Sequence, residues 1–299
     1  LTSINVRLLT YFIGLAVVGV ILFRLPVFYV GEPVSFVDSL FTTVSAICVT
    51  GLASVDMSVY STWGLVLLLF LIEAGGLGFV SFLVLYAALP SKKMSLVNRR
   101  IVKDFFIDEV EVNPRLIVRR IVGYTLVFEL IGGLVLAFLL QHRWTATGEG
   151  VASLGMNLFY GMFLAVSAFC NAGFDLFGNF QSLTQLQQEP VILLTLSCLI
   201  ILGGLGFSVI LECFHHRFSF RALSLHAKLV LLLTSILLFS GMLMTFVLEY
   251  SNTLSSLSLG DKLANSFFQS VTLRTAGFAS IDQGSLTDAS KLLGCLFMF

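Results

Sequence analysis

Apolar stretches recur at roughly residues 8–30, 63–89, 117–140, 190–211 and 229–248. Each nears or exceeds the roughly 20 residues that a helix needs to cross a hydrocarbon core, so each predicts a membrane span. The segments between them are of two kinds. Residues 91–116 and 212–228 are polar and basic, whereas 31–62, 141–189 and 249–290 are only partly polar. Each of the latter three holds an apolar run shorter than a span: FVDSLFTTVSAI at 36–47, LGMNLFYGMFLAVSAF at 154–169 and LANSFFQSVTL at 263–273. Runs of that kind suit re-entrant elements, which enter the membrane and leave on the same side. A stretch of small and hydroxyl-bearing residues follows each one.

These segments repeat. With Gly51, Gly173 and Gly277 as anchors, Phe41, Phe163 and Phe267 each stand ten residues upstream. The first and third agree downstream as well, with GLASVD at 51–56 and GFASID at 277–282. Ser35 with Asp38, and Ser258 with Asp261, have the spacing of a helix-starting capping box, which the second unit lacks at the same place. GGLGF occurs at 75–79 and again at 203–207, in the returning span of the first two units. The predicted unit is therefore span, re-entrant half-helix, extended stretch, span. The first covers 1–90 and the second 117–211, with basic loops at 91–116 and 212–228. The third, 229–299, stops within its second span, and the expectation is of a longer protein.

Composition agrees with the spans. The chain is 57% hydrophobic and 11% charged, with a mean hydropathy of +0.98, where a soluble domain would carry about twice that charged fraction. Most of the 17 Lys and Arg residues lie in the two basic loops, among them Lys92, Lys93, Arg99, Arg100, Lys103, Arg217, Arg221 and Lys228. The positive-inside rule then places those loops and the N-terminus in the cytoplasm. No cleavable signal pattern is present, and the first span can itself be inserted. The five Cys and four His show no metal-ligand spacing.

An irregular backbone survives at membrane depth only when buried in protein or lining a water-filled path. Val49-Thr50-Gly51-Leu52, Asn171-Ala172-Gly173-Phe174 and Thr275-Ala276-Gly277-Phe278 are the segments that must meet this condition. Facing a common axis, their carbonyls can replace the hydration shell of a bare cation. The partly negative C-terminal end of each preceding half-helix favours the same charge. Asp56, Asp175 and Asp282 fall just outside these stretches, where carboxylates would concentrate cations or merely be solvated loop acids. Arg274 would repel a cation if its head entered the path, so it is expected to point behind the stretch as a support. Glu73 and Glu129 lie within apolar spans, with ion passage and structural contact equally open. GGLGF is expected to serve close helix packing against the half-helix.

TTVSAICVTGLASVD (42–56), AVSAFCNAGFDLFG (165–178), the two GGLGF motifs and RTAGFASIDQGSL (274–286) together resemble the Trk/Ktr/HKT superfamily of potassium transporters, closest to the KtrB type of bacterial potassium-uptake subunit. The resemblance implies an all-α polytopic membrane protein of the bacterial plasma membrane. Its parallel span–pore-loop–span repeats would stand pseudo-fourfold around a central pore, with the fourth repeat and a gate loop lying beyond Phe299. It implies selective K⁺ uptake, often sodium-dependent, no cofactor in this chain, a homodimer, and a cytoplasmic nucleotide-binding ring of the KtrA/TrkA type facing the basic loops. Gly51, Gly173 and Gly277 match the filter glycines. In some members a serine replaces the first of these and sodium permeation rises, so Gly51 implies potassium.

Trk-type relatives usually carry two further N-terminal spans, so what the resemblance implies is the Ktr rather than the Trk type; a mixed K⁺/Na⁺ subunit is the neighbouring alternative. An alternating-access transporter would often show inverted repeats, whereas these run parallel. A membrane enzyme would need reactive groups at depth, and no HExxH or His cluster occurs. A non-conducting assembly subunit would bind no ion at the three stretches. No feature points to nucleic acid.

Overall fold

The computed structural model describes residues 4–78, 114–147, 153–217, 219–274 and 276–298. Among them the regular structure is helical, and an isolated bridge joins Tyr29 to Tyr60. The helices fall into three successive groups. The first holds α1 (Ile4–Phe23), α2 (Phe36–Ile47) and α3 (Thr62–Gly76); the second holds α4 (Pro114–Thr147), α5 (Leu154–Phe169), α6 (Pro190–Gly204) and α7 (Phe207–His215). The third holds α8 (Leu225–Glu249), α9 (Leu259–Thr272) and α10 (Asp288–Met298). Lys92, Lys93, Arg99, Arg100 and Lys103 of the first basic loop lie outside the described residues.

The half-helices start where local chemistry allows. Ser35 accepts from the Asp38 N–H at 3.1 Å and donates its hydroxyl to the Asp38 carboxylate at 2.6 Å. Ser258 and Asp261 do the same at 3.3 and 2.7 Å. The second half-helix has its own cap in Ser153, whose hydroxyl accepts from Met156 N–H at 3.3 Å, but no carboxylate completes the box. α2 and α5 occupy the expected residues. α9 begins at Leu259, four residues before the apolar run at 263, because Asp261 and Lys262 hide a turn that Ser258 caps.

The span expected over 190–211 is corrected by the structure. α6 and α7 meet at a bend of 99° across Leu205–Gly206. Gly206 has φ of +82°, which ends the helical hydrogen-bond ladder and redirects the chain. Gly78, in the matching motif after α3, also has positive φ.

Small residues set how the helices cross. Gly19 of α1 lies under Thr43 of α2, Gly133 of α4 under Met162 of α5, and Gly241 of α8 under Ser270 of α9. Each half-helix is thus drawn against the first span of its own group. α5 also packs on α3 and α9 on α6, so each of these two half-helices touches the returning helix of the preceding group. The groups follow one another around a common centre. Their outward faces carry exposed Val17, Phe138, Leu232 and Phe239, as a lipid-facing surface requires, while Ser39, Thr42, Asn265 and Gln269 of the half-helices are buried.

Glu249, at the end of α8, ties the third group together. It is fully buried and accepts from Thr287 N–H at 2.9 Å and from the hydroxyls of Thr287, Ser290 and Thr253 at 2.8, 2.5 and 2.9 Å, and Asn252 Nδ2 donates to it at 2.8 Å. Glu249→Gln turns half of an all-acceptor group into a donor facing other donors. Hydrogen bonds to a charged group contribute about 1.5–3 kcal/mol each, so the variant is expected to lose about 2–3 kcal/mol. A lower thermal midpoint of the purified complete protein in detergent checks this; an unchanged midpoint contradicts it.

Candidate functional site

The polar stretches after α2, α5 and α9 meet at one place. Gly51, Gly173 and Gly277 have φ of +72°, +74° and +79°, the left-handed region in which glycine alone is unstrained. A Cβ added to Gly51 would fall on the Ala172 carbonyl and 3.1 Å from Gly173 Cα. One added to Gly173 would stand 2.5 Å from the Ala276 carbonyl oxygen and 2.8 Å from Gly277 Cα. One added to Gly277 would stand 3.3 Å from Gly173 Cα and 3.6 Å from the Thr50 carbonyl. Backbones 104 and more residues apart in sequence are therefore in mutual van der Waals range, with the carbonyl that precedes each glycine inside the cluster.

Two residues before these glycines, Val49 and Asn171 also adopt positive φ, 56° and 58°. For β-branched Val49 this is a strained backbone that only surrounding structure can maintain. Left-handed residues thus recur at every second position, Val49 and Gly51 in the first stretch and Asn171 and Gly173 in the second. Thr275, the equivalent in the third group, lies outside the described residues.

Buried hydroxyls hold the stretches in this form. Ser45 Oγ accepts from Leu52 N–H at 2.9 Å and from Thr50 Oγ1 at 2.9 Å. Ser167 Oγ donates to the Phe174 carbonyl at 2.7 Å, and Thr272 Oγ1 to the Phe278 carbonyl at 2.7 Å. Each hydroxyl sits near the end of its half-helix and ties the residue just past the glycine back to it. The sequence signal was a hydroxyl five or six residues before each glycine, and periodicity alone does not single it out. Phe174 and Phe278 are buried behind the turns, whereas Leu52 is exposed.

The GGLGF motifs lie against the half-helix ends. A Cβ on Gly75 would fall on the carbonyl of Ile47, the last residue of α2, and one on Gly203 on that of Phe169, the last residue of α5. Around these ends is a cavity of about 350 Å³, lined by Cys48, Val49, Gly76, Cys170, Asn171 and Gly203 among others. Partial negative charge from the helix C-termini faces it. Glu73 and Glu129, read from sequence as separate, come together with Cys170 beside this cavity.

Arg274 Nη2 donates to Thr234 Oγ1 of α8 at 3.3 Å, so its partner among the described residues is a hydroxyl rather than a carbonyl or carboxylate. The three carboxylates outside the turns each accept from the N–H two residues on: Asp56 from Ser58 at 2.8 Å, Asp175 from Phe177 at 3.0 Å and Asp282 from Gly284 at 3.0 Å. Burial pulls Asp56 up, but the Ser58 hydroxyl and the N–H groups of Ser58, Asn179 and Phe180 outweigh it and hold the carboxyl below its ordinary range. The Ser285 hydroxyl, then Gly284 N–H, do the same for Asp282. Asp175 goes the other way: burial, helped by the nearby charge of Asp56, raises it against the Phe177 hydrogen bond.

The family model described as TrkH, cation transport protein, matches residues 4–299. This chain belongs to the TrkH family. It is 37% identical to the Ktr system potassium uptake protein B of Bacillus subtilis over 95% of its own length and 62% of that protein's. Identity to the Ktr system potassium uptake protein B of Vibrio alginolyticus is also 37%, over 97% of this chain and 62% of the relative. The potassium/sodium uptake protein NtpJ of Enterococcus hirae is 35% identical over 90% and 58%. The chain thus spans about 62% of the length of the curated relatives it matches first. Its fold is similar to the crystal structure of the potassium transporter TrkH from Vibrio parahaemolyticus, with a TM-score of 0.64 at 18% identity, covering 96% of this chain and 54% of that one. For a TrkH-family chain, helical spans in a membrane follow directly.

Proposed function

We propose that this chain is the greater part of a potassium-translocating membrane subunit of the Ktr type, and that its three glycine turns are three quarters of a backbone-carbonyl selectivity filter. The observation that carries the reading is the convergence of Gly51, Gly173 and Gly277 with the carbonyls of Thr50, Ala172 and Ala276. Carbonyls so placed, held by buried hydroxyls, supply oxygen ligands to a dehydrated monovalent cation without a fixed countercharge. The filter comprises residues 49–52, 171–174 and 275–278. A fourth such turn from the remainder of the protein closes the ring into a pseudo-fourfold pore. Transport of this kind makes and breaks no covalent bond, so the protein is no enzyme.

The finer assignments rest on charge and likeness. The basic loops at 91–116 and 212–228 face the cytoplasm, with the N-terminus, and meet a nucleotide-binding regulatory ring. Two subunits associate in the plasma membrane. Asp56 and Asp282 keep their charge at the outer mouth and raise the local cation concentration, while Arg274 supports the third turn from behind. Sodium accompanies potassium uptake; likeness to the potassium/sodium uptake protein NtpJ supports a mixed potassium/sodium substrate as the second reading.

The test is potassium uptake by the complete gene in a strain without its own uptake systems, at limiting K⁺, with and without Na⁺. Restored uptake that rises with Na⁺ supports the Ktr reading. Protein present in the membrane without uptake contradicts it.

Asp175 gives this assay a pH signature. A carboxyl raised above its ordinary value loses its charge at a higher pH than exposed acids do. As external pH falls from neutral toward about 5, the KM for K⁺ is expected to rise at unchanged maximal rate. Asp175→Asn should show the raised KM at every pH; a variant that keeps the wild-type pH profile contradicts the assignment.

A further inference from the structure

Glu73 of α3, Glu129 of α4 and Cys170, which caps the C-terminus of α5, come from three helices and lie 41 to 97 residues apart. One ligand atom from each falls within 4.8 Å of the other two. Cys170 Sγ is 3.5 Å from Glu73 Oε2 and 3.8 Å from Glu129 Oε1. Tetrahedral coordination with a metal–sulfur bond of about 2.3 Å and a metal–oxygen bond of about 2.0 Å places sulfur and oxygen about 3.5 Å apart. The two sulfur–oxygen spacings found, 3.5 and 3.8 Å, are close to that value.

Charge gives an independent reason. Two carboxyls face each other inside an apolar assembly, and among the described residues no basic group is among the charges acting on either. Two such carboxyls are relieved by a shared proton or by a cation. A thiol in the donor set selects a borderline-soft divalent ion over Mg²⁺, Ca²⁺ or an alkali ion. A second feature points to the same place. Thr125, one turn before Glu129 on α4, is 1% exposed, lines the adjoining cavity, and its hydroxyl has no hydrogen-bond partner among the described residues. That hydroxyl is free to hold a metal-bound water.

We propose that Glu73, Glu129 and Cys170 form a binding site for a divalent cation of the Zn²⁺ or Cd²⁺ class, with a water in the fourth position hydrogen-bonded to Thr125. Binding displaces the thiol proton to solvent and forms the metal–sulfur bond. The ion joins the returning span of the first group to the first span and half-helix of the second, next to the left-handed Asn171.

The site is tested by metal binding and does not depend on the transport reading. The purified complete protein, carrying no histidine tag, is titrated with Cd²⁺ while its ultraviolet thiolate-to-cadmium band is followed, with Zn²⁺ as competitor. One saturable band per chain is expected, displaced by Zn²⁺. It should vanish in Cys170→Ser and persist in Cys48→Ser, the cysteine at the equivalent position of the first group. Glu73→Gln and Glu129→Gln conserve shape, and each should weaken Cd²⁺ binding at least about tenfold. All variants are required to elute as the wild type does. Absence of the band in the wild type, its survival in Cys170→Ser, or unchanged affinity in both glutamine variants would overturn the proposal.

Discussion

Gly173→Ala in the complete protein is expected to lower potassium uptake at least about tenfold while the protein still inserts and purifies as the wild type does. Alanine is the smallest change available, and both of its effects fall on the backbone. At φ of +74° an L-residue is strained by about 1–2 kcal/mol. The new Cβ then stands 2.5 Å from the Ala276 carbonyl oxygen and 2.8 Å from Gly277 Cα, and neither can rotate away as a side chain would. Relief requires one turn to move, which withdraws a carbonyl from the ring or tilts it. About 1.4 kcal/mol of added barrier already accounts for a tenfold loss of rate. Uptake within about twofold of wild type would mean that ions do not pass the convergence of the three turns.

Gly203→Leu is expected to have the largest effect on assembly, leaving little folded protein in the membrane. Its Cβ would fall on the Phe169 carbonyl, so α6 cannot lie where it does against the end of α5. Overpacking a well-filled interior costs about 1–3 kcal/mol, and more when the obstacle is main chain. Gly75→Leu meets the Ile47 carbonyl in the same way and should behave alike. Gly14→Ala is the control: among the described residues nothing lies within 4 Å of its added Cβ, and alanine is the better helix former by about 1 kcal/mol. Detergent-extracted yield and thermal midpoint separate the three. Wild-type values for both leucine variants would contradict the packing described for GGLGF.

The parts of this architecture carried by local chemistry were readable beforehand. The two Ser-Asp boxes mark where α2 and α9 begin, and repetition of the glycine stretches brought the three turns into one register. GGLGF was expected to serve close packing, and Gly75 and Gly203 do so. What periodicity reports is burial, not partners. It therefore hid the first turn of α9, where charged Asp261 and Lys262 follow the cap. It also ran one span through Leu205–Gly206, since leucine and glycine look apolar whether the helix continues or turns by 99°. The αL backbone at Val49 has no sequence signal, because valine is among the residues least suited to it. Meetings between distant residues were equally invisible: Glu249 with Thr287 and Ser290, 38 and 41 positions on, and Glu73 with Cys170, 97 positions on. Such contacts follow from how the groups succeed one another around the centre.

The most direct measurement is the position of a bound ion. Crystals of the complete protein grown with Rb⁺ or Tl⁺ in place of K⁺ give an anomalous signal that locates the ion without reference to transport. A peak is expected in contact with the carbonyl oxygens of Thr50, Ala172 and Ala276, weakened in Gly173→Ala. An ion bound elsewhere, with no peak among those carbonyls, would contradict it.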